Sequence, residues 1–123
     1  LLRNPIAVLP GGAMTFTSPI PLGVEARLMI SDAERGLETV ALVATEVAKR
    51  LLGKKPKAII IIDSVTRKRM IGPRADEEVE IVQRILGRDV PIAGFYGYAE
   101  IAAEGVGNPL FHNGSILIWA LAE

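Results

Sequence analysis

The run Ala58-Ile59-Ile60-Ile61-Ile62 sets how the rest of the chain is read. Its isoleucines are β-branched and favour strands. A short unbroken apolar run of this kind marks a strand buried on both faces, as in parallel sheets flanked by helices. The run stops at Asp63-Ser64-Val65-Thr66-Arg67, and a basic loop carrying Arg67, Lys68, Arg69 and Arg74 is expected to follow.

Upstream, Ser31-Asp32-Ala33-Glu34 fits a capping box with serine as the cap. Leu37, Val40, Ala41, Ala44, Val47, Ala48 and Leu51 follow at helical spacing. Lys49 and Arg50 suit the negative end of the helix dipole, and Gly53 and Pro56 stop the helix. Leu42 and Val43 widen its apolar stripe, which predicts cover on more than one side. Before this helix, VEARLMI (Val24 to Ile30) alternates and predicts a strand. The opening residues 1–23 form an irregular or short-stranded segment. Ile6 to Leu9 and Met14 to Thr17 are its strand candidates, Pro10-Gly11-Gly12 the turn between them, and Pro19-Ile20-Pro21 an extended passage.

Downstream, a second helix is expected from Pro73 to Asp76 onward. Asp76, Glu77 and Glu78 sit in its first turn, Val79, Val82, Ile85 and Leu86 on its inner face, and Gly87 at its end. PIAGFYGYAEIA, Pro91 to Ala102, reads as one strand. Extended, it places Gly94, Tyr96, Tyr98 and Glu100 on one face and Phe95, Gly97, Ala99 and Ile101 on the other. SILIWAL, Ser115 to Leu121, reads as the last strand, antiparallel to the one before it. The fold class is α/β, a mixed sheet with two main helices in the order β-β-β-α-β-α-β-β, forming a single domain over 1–123.

The bulk numbers exclude several functions. The chain has 123 residues, enough for one core, and 14 basic residues balance 14 acidic ones. No net field draws nucleic acid or an anionic membrane. The absence of cysteine removes disulfides, thiolate metal sites and a cysteine nucleophile. The single histidine, His112, removes a multi-histidine zinc site. No apolar run nears the ~20 residues of a membrane span, and no signal peptide is evident. A cytoplasmic location is expected. The chain lacks an initiator Met and begins mid-pattern, so it reads as a domain cut from a longer protein.

Ligands of open α/β sheets collect at the carboxyl ends of strands. Two such ends are polar here. One carries Asp63, Ser64 and Arg67; the other carries Glu100 and the loop Ala103 to Asn113. Arginine forks onto a carboxylate and glutamate accepts from an ammonium, so the set suits a zwitterion. Tyr96 and Tyr98 offer apolar walls with polar tips. Each residue has a structural alternative: Arg67 as a loop brace, Glu100 as a cap on free strand-end amides, the tyrosines as half-buried packing, and His112 and Asn113 as loop braces. No GxSxG elbow surrounds Ser64 and no phosphate-loop pattern surrounds Gly11-Gly12, so no catalytic group is assigned and no enzyme is expected.

The stretches IIIDSVTR, DEE, VPIAGFYGYAEI and FHNGSILIWAL, taken together from Ala58 to Ala120, resemble the C-terminal half of the FIST domain, a sensory domain of signalling proteins. Arg67, Glu100, His112 and Asn113 match its pattern. Ser64 stands where the family usually has cysteine, Thr66 and Ala99 where it has glycine, and Ser115 where it has threonine. The resemblance implies sensing of a small ligand, amino acids or their derivatives, with Arg67, Glu100, Tyr96, Tyr98, Asn113, Ser64 and Asp63 at the site. It implies as partners the N-terminal FIST half and the signalling domains of a parent protein, and it admits a homo-oligomer. Two alternatives follow from the same resemblance: haem held by His112 in a nitric oxide sensor, and a protein-interaction scaffold.

Overall fold

The structure is a computed structural model that describes residues 2–103 and 107–123. Residues 104–106, inside the loop expected over Ala103 to Asn113, lie outside the described residues, as does Leu1. The elements run β1 (Pro5–Val8), β2 (Met14–Phe16), α1 (Ala33–Arg50), β3 (Ala58–Ser64), α2 (Val65–Ile71), a 3-10 turn (Gly72–Arg74), α3 (Glu77–Leu86), β4 (Ile92–Gly97), β5 (Glu100–Ala102), β6 (Leu110–His112) and β7 (Ile116–Leu121). The isoleucine run is the central strand of the main sheet, whose order is β4-β3-β7. β3 pairs parallel with β4 and antiparallel with β7. The two last long strands therefore flank β3 and do not pair with each other. β1 with β2 and β5 with β6 form separate antiparallel pairs.

Helices cover one face of the main sheet. Ile59 and Ile61 point to it with Ile118 of β7, and Leu37, Val40 and Ala44 of α1 and Ile81, Val82 and Leu86 of α3 close over them. The opposite face carries Ile60 and Ile62 with Trp119, Leu117 and Phe95 beside them in register. Phe95 is 62% and Trp119 54% exposed, so this apolar face is open. The isoleucine run is thus covered on one side only. The sequence pattern reports a dry strand but does not say that the second cover belongs to this chain.

Several boundaries differ from expectation for local reasons. Asp32, not Ser31, caps α1, accepting from the Arg35 N–H at 2.9 Å. The basic segment after β3 is helical, not a loop. Ser64 caps α2 by accepting from the Thr66 N–H, and the i, i+4 step of the helix brings Arg67 back onto Asp63. PIAGFYGYAEIA is two strands: β4 ends at Gly97, and β5 starts at Glu100 beyond a bend at Tyr98 and Ala99. Val24 to Ile30 joins no ladder, and Leu28 is 94% and Ile30 83% exposed. Alternation gives a segment two faces, but a strand also needs a neighbour to bond. In α3 the buried positions are Glu78, Ile81, Val82 and Leu86, while Val79 is exposed.

Gly94 lies opposite Ile61 in the parallel pair, where an added Cβ would run into the Ile61 carbonyl oxygen. That contact is with backbone, so relief means shifting one central strand against the other. Gly94→Ala is expected to destabilise the fold by about 3 kcal/mol, read as a lower urea midpoint at unchanged slope. A midpoint equal to that of the parent chain would show that β4 can retreat at no cost.

Candidate functional site

The carboxyl end of β3 separates two buried polar clusters, because consecutive strand residues face opposite ways. Asp63 turns to the helix side and Ser64 to the other.

On the helix side Arg67 is 4% exposed, with Asp63 and Glu78 equally buried. Its Nε lies 2.9 Å from Asp63 Oδ1, and its Nη2 donates to Glu78 Oε1 at 2.7 Å and to the Gly36 carbonyl at 2.9 Å. Gly36 lets α2 pack closely on α1, since an added Cβ would meet the Met70 and Ile71 side chains. Tyr96, opposite Asp63 in the ladder, donates towards Glu78 Oε2 at 3.5 Å. Burial, with the Glu78 and Asp63 carboxylates nearby, pushes its phenol up to about 12, so it remains a proton donor. Burial and contact with Glu78 push the Asp63 carboxyl up to about 7, against the opposing pull of Arg67. A cleft of about 220 Å³ opens beside this cluster between α3 and β4, lined by Ile61, Asp63, Glu78, Ile92, Gly94 and Tyr96 among others.

On the other side, Ser64 Oγ accepts from the backbone N–H of Thr66 at 3.3 Å and of Gly114 at 3.2 Å. It thereby ties the 113–115 turn to the end of β3. Glu100, 7% exposed, receives the Ser115 hydroxyl at 3.0 Å and its N–H at 3.4 Å, both on Oε2. Asn113, 4% exposed, accepts a short hydrogen bond from the Thr17 hydroxyl, and the Asn4 amide donates to Thr66 Oγ1 at 2.7 Å. The opening hairpin is thus pinned onto this cluster. Three buried atoms here have no partner among the described residues: Glu100 Oε1, His112 Nε2 and Asn113 Nδ2. His112 and Glu100 are cross-strand neighbours in the β5–β6 pair, and Asn113 follows His112 directly.

The structure therefore brings Asp63, Arg67 and Tyr96 together on one side, and Ser64, Glu100 and Asn113 on the other. No ion pair joins Arg67 to Glu100, and the two share no hydrogen-bond partner among the described residues. Tyr98 is 79% exposed in the bend ahead of Glu100. Glu78, Ser115, Thr17 and Asn4 complete these two clusters, and none of them is among the candidate ligand-binding residues read from the sequence. Glu78 had a readable signal: it falls one turn before Ile81 and Val82 on the dry face of α3, and a carboxylate there requires a buried cation. The neighbours of His112 are the Glu100 carboxylate across the strand pair and Asn113 along the chain. That is a polar setting for an imidazole, and these residues do not fit a porphyrin. Among the described residues no group of three or more His, Asp or Glu side chains could hold a metal ion. No helix among them is long and apolar enough to cross a membrane.

A buried carboxylate and amide thus sit at strand ends, held by the Ser64 hydroxyl and a pinned hairpin. The chain matches the family described as FIST C domain over residues 1–103 and belongs to that family. It is a sensory domain family of signalling proteins. The matched region takes in β1 through β5 and stops before the His112-Asn113 turn. No curated protein and no solved structure matches the chain.

Proposed function

We propose that the chain is a non-enzymatic ligand-sensing domain of a cytoplasmic signalling protein, and that its ligand is a small molecule with an amino group and a carboxylate, an amino acid or a derivative. The observation that carries this reading is a buried acceptor, Glu100 Oε1, and a buried donor, Asn113 Nδ2, both without a partner among the described residues, on β5 and on the 113–115 turn that Ser115 ties to Glu100. Buried polar atoms without partners are uncommon in folded proteins and point to a missing one. Glu100 takes the ammonium, and Asn113, helped by the Ser64-anchored turn, takes the carboxylate. Tyr98 forms the exposed rim. Arg67 acts from the other side of β3, holding the strand end on which Ser64 sits.

Titration calorimetry of the chain against the common amino acids and their amides tests this. At least one is expected to bind, and Glu100→Gln, which keeps an acceptor for Ser115, is expected to weaken that ligand at least ~10-fold through loss of a charge-assisted bond. Silence from the whole panel would remove the reading. A second reading, an interaction scaffold, draws on the open apolar face that carries Phe95, Leu117 and Trp119. In it, the N-terminal FIST half of the parent protein covers that face.

A further inference from the structure

We infer that Val24–Ile30, unladdered and largely exposed in this structure, docks as a fourth strand on the free edge of β7, antiparallel to it, giving the order β4-β3-β7 followed by this strand. β7 bonds only β3 among the described residues, so its other edge offers unpaired N–H and C=O groups. Val24–Ile30 is the complementary object: seven residues alternating Val24, Ala26, Leu28 and Ile30 against Glu25, Arg27 and Met29, in no ladder. β7 is six residues long, a matching length.

Topology selects this edge over that of β4. The passage from β3 through α3 to β4 and the passage from this segment through α1 to β3 use helices on the same face of the sheet. Both crossovers are right-handed only if they step the same way across the sheet. The segment must then lie on the side of β3 away from β4, beyond β7. The position of α1 gives the same answer independently, because it packs over β7, where a helix linking that edge to β3 belongs. The chain before the segment fits as well. Thr17 is pinned to Asn113 at the end of the sheet where β7 begins, whereas the strand has to start at the other end, beside Leu121. The extended passage through Pro19 and Pro21 covers roughly 20 Å in six residues, close to the length of a six-residue strand, roughly 20 Å. Only Ser31 and Asp32 separate Ile30 from α1, a normal length for a strand-to-helix loop.

Amide hydrogen exchange on the whole chain tests the seat. Alternate amides of 24–30 are expected to exchange at least ~100-fold slower than unstructured peptide, at any protein concentration and in a monomer by light scattering. The outward amides of β7 should be slowed with them. Of Arg27→Pro and Leu28→Pro, one removes an inward N–H and is expected to release the outer β7 amides at least ~10-fold, while the other spares them, since proline is tolerated on the outer side of an edge strand. Unstructured rates across 24–30 would overturn the inference, and so would β7 amides indifferent to both prolines. Protection seen only in a dimer would overturn the seat within one chain and assign the edge to a second copy.

Discussion

Arg67→Ala is expected to cost about 3–5 kcal/mol of folding stability, the usual loss when one member of a buried ion cluster is removed. The guanidinium is the only cation in contact with Asp63 and Glu78 among the described residues, and all three are nearly inaccessible to water. Without it, Glu78 and the Gly36 carbonyl lose their donor and Asp63 loses its ion-pair partner inside the protein, and water cannot replace it. A domain of this size has roughly 5–15 kcal/mol in total, so the variant should sit near its unfolding threshold at ambient temperature. Urea denaturation followed by Trp119 fluorescence measures the loss. Two comparisons make it specific. Arg74→Ala removes an arginine paired with Glu34 and Glu77 at the surface and should have a small effect by comparison. Arg67→Met combined with Asp63→Asn and Glu78→Gln removes all the charge together and should recover much of the loss, because the penalty lies in the stranded carboxylates. A cost below ~1 kcal/mol for Arg67→Ala would mean that water reaches the cluster.

The role of Arg67 also shows where the sequence was informative and where it stopped. AIIII announced a central strand because its signal is local and one-dimensional, and Leu37, Val40 and Ala44 announced the helix above it for the same reason. What the sequence could not show was which way Asp63 and Ser64 turn at the strand end. That parity depends on where β3 begins to pair, and it decides that Arg67 and Glu100 serve different clusters. Reading Pro91 to Ala102 as one strand put Tyr98 and Glu100 on a shared face. The bend at Tyr98-Ala99 breaks that alternation, so Glu100 reaches its cluster as the first residue of a new pair with His112. Glu78 was visible as an acid in a helix's first turn, which fits the dipole. Its place one turn before Ile81 and Val82 was a local sign of burial; that Arg67 is the cation meeting it depends on how α2 and α3 dock, which no local pattern encodes. The residues around Asn113 came together through the β1–β2 hairpin folding back onto the turn, and long-range closure of that kind leaves no periodic trace.

The second large effect is in the pH dependence of stability. One guanidinium neutralises one carboxylate, and the second is relieved by a proton. The Asp63 carboxyl, at 3.8 in open solution, is pushed up to about 7 by burial and by Glu78. The native state therefore holds this proton between about pH 4 and pH 7 while the unfolded chain has already released it. Stability changes with pH in proportion to the protons bound by the unfolded state minus those bound by the native state. That difference is negative here, so the Asp63 contribution is greatest near pH 4, falls as pH rises, and levels off above about 7. The slope has a ceiling of about 1.4 kcal/mol per pH unit. Other carboxylates titrate in the lower part of this range, so the quantity to follow is the difference in unfolding free energy between the parent chain and Asp63→Asn from pH 4.5 to 8. The asparagine keeps the shape and a donor for Glu78 but has nothing to titrate. The parent chain should lose stability relative to the variant as pH rises, with the change complete shortly above 7. A difference independent of pH would show that Asp63 is already ionised beside Arg67 and that the cluster carries a net negative charge throughout.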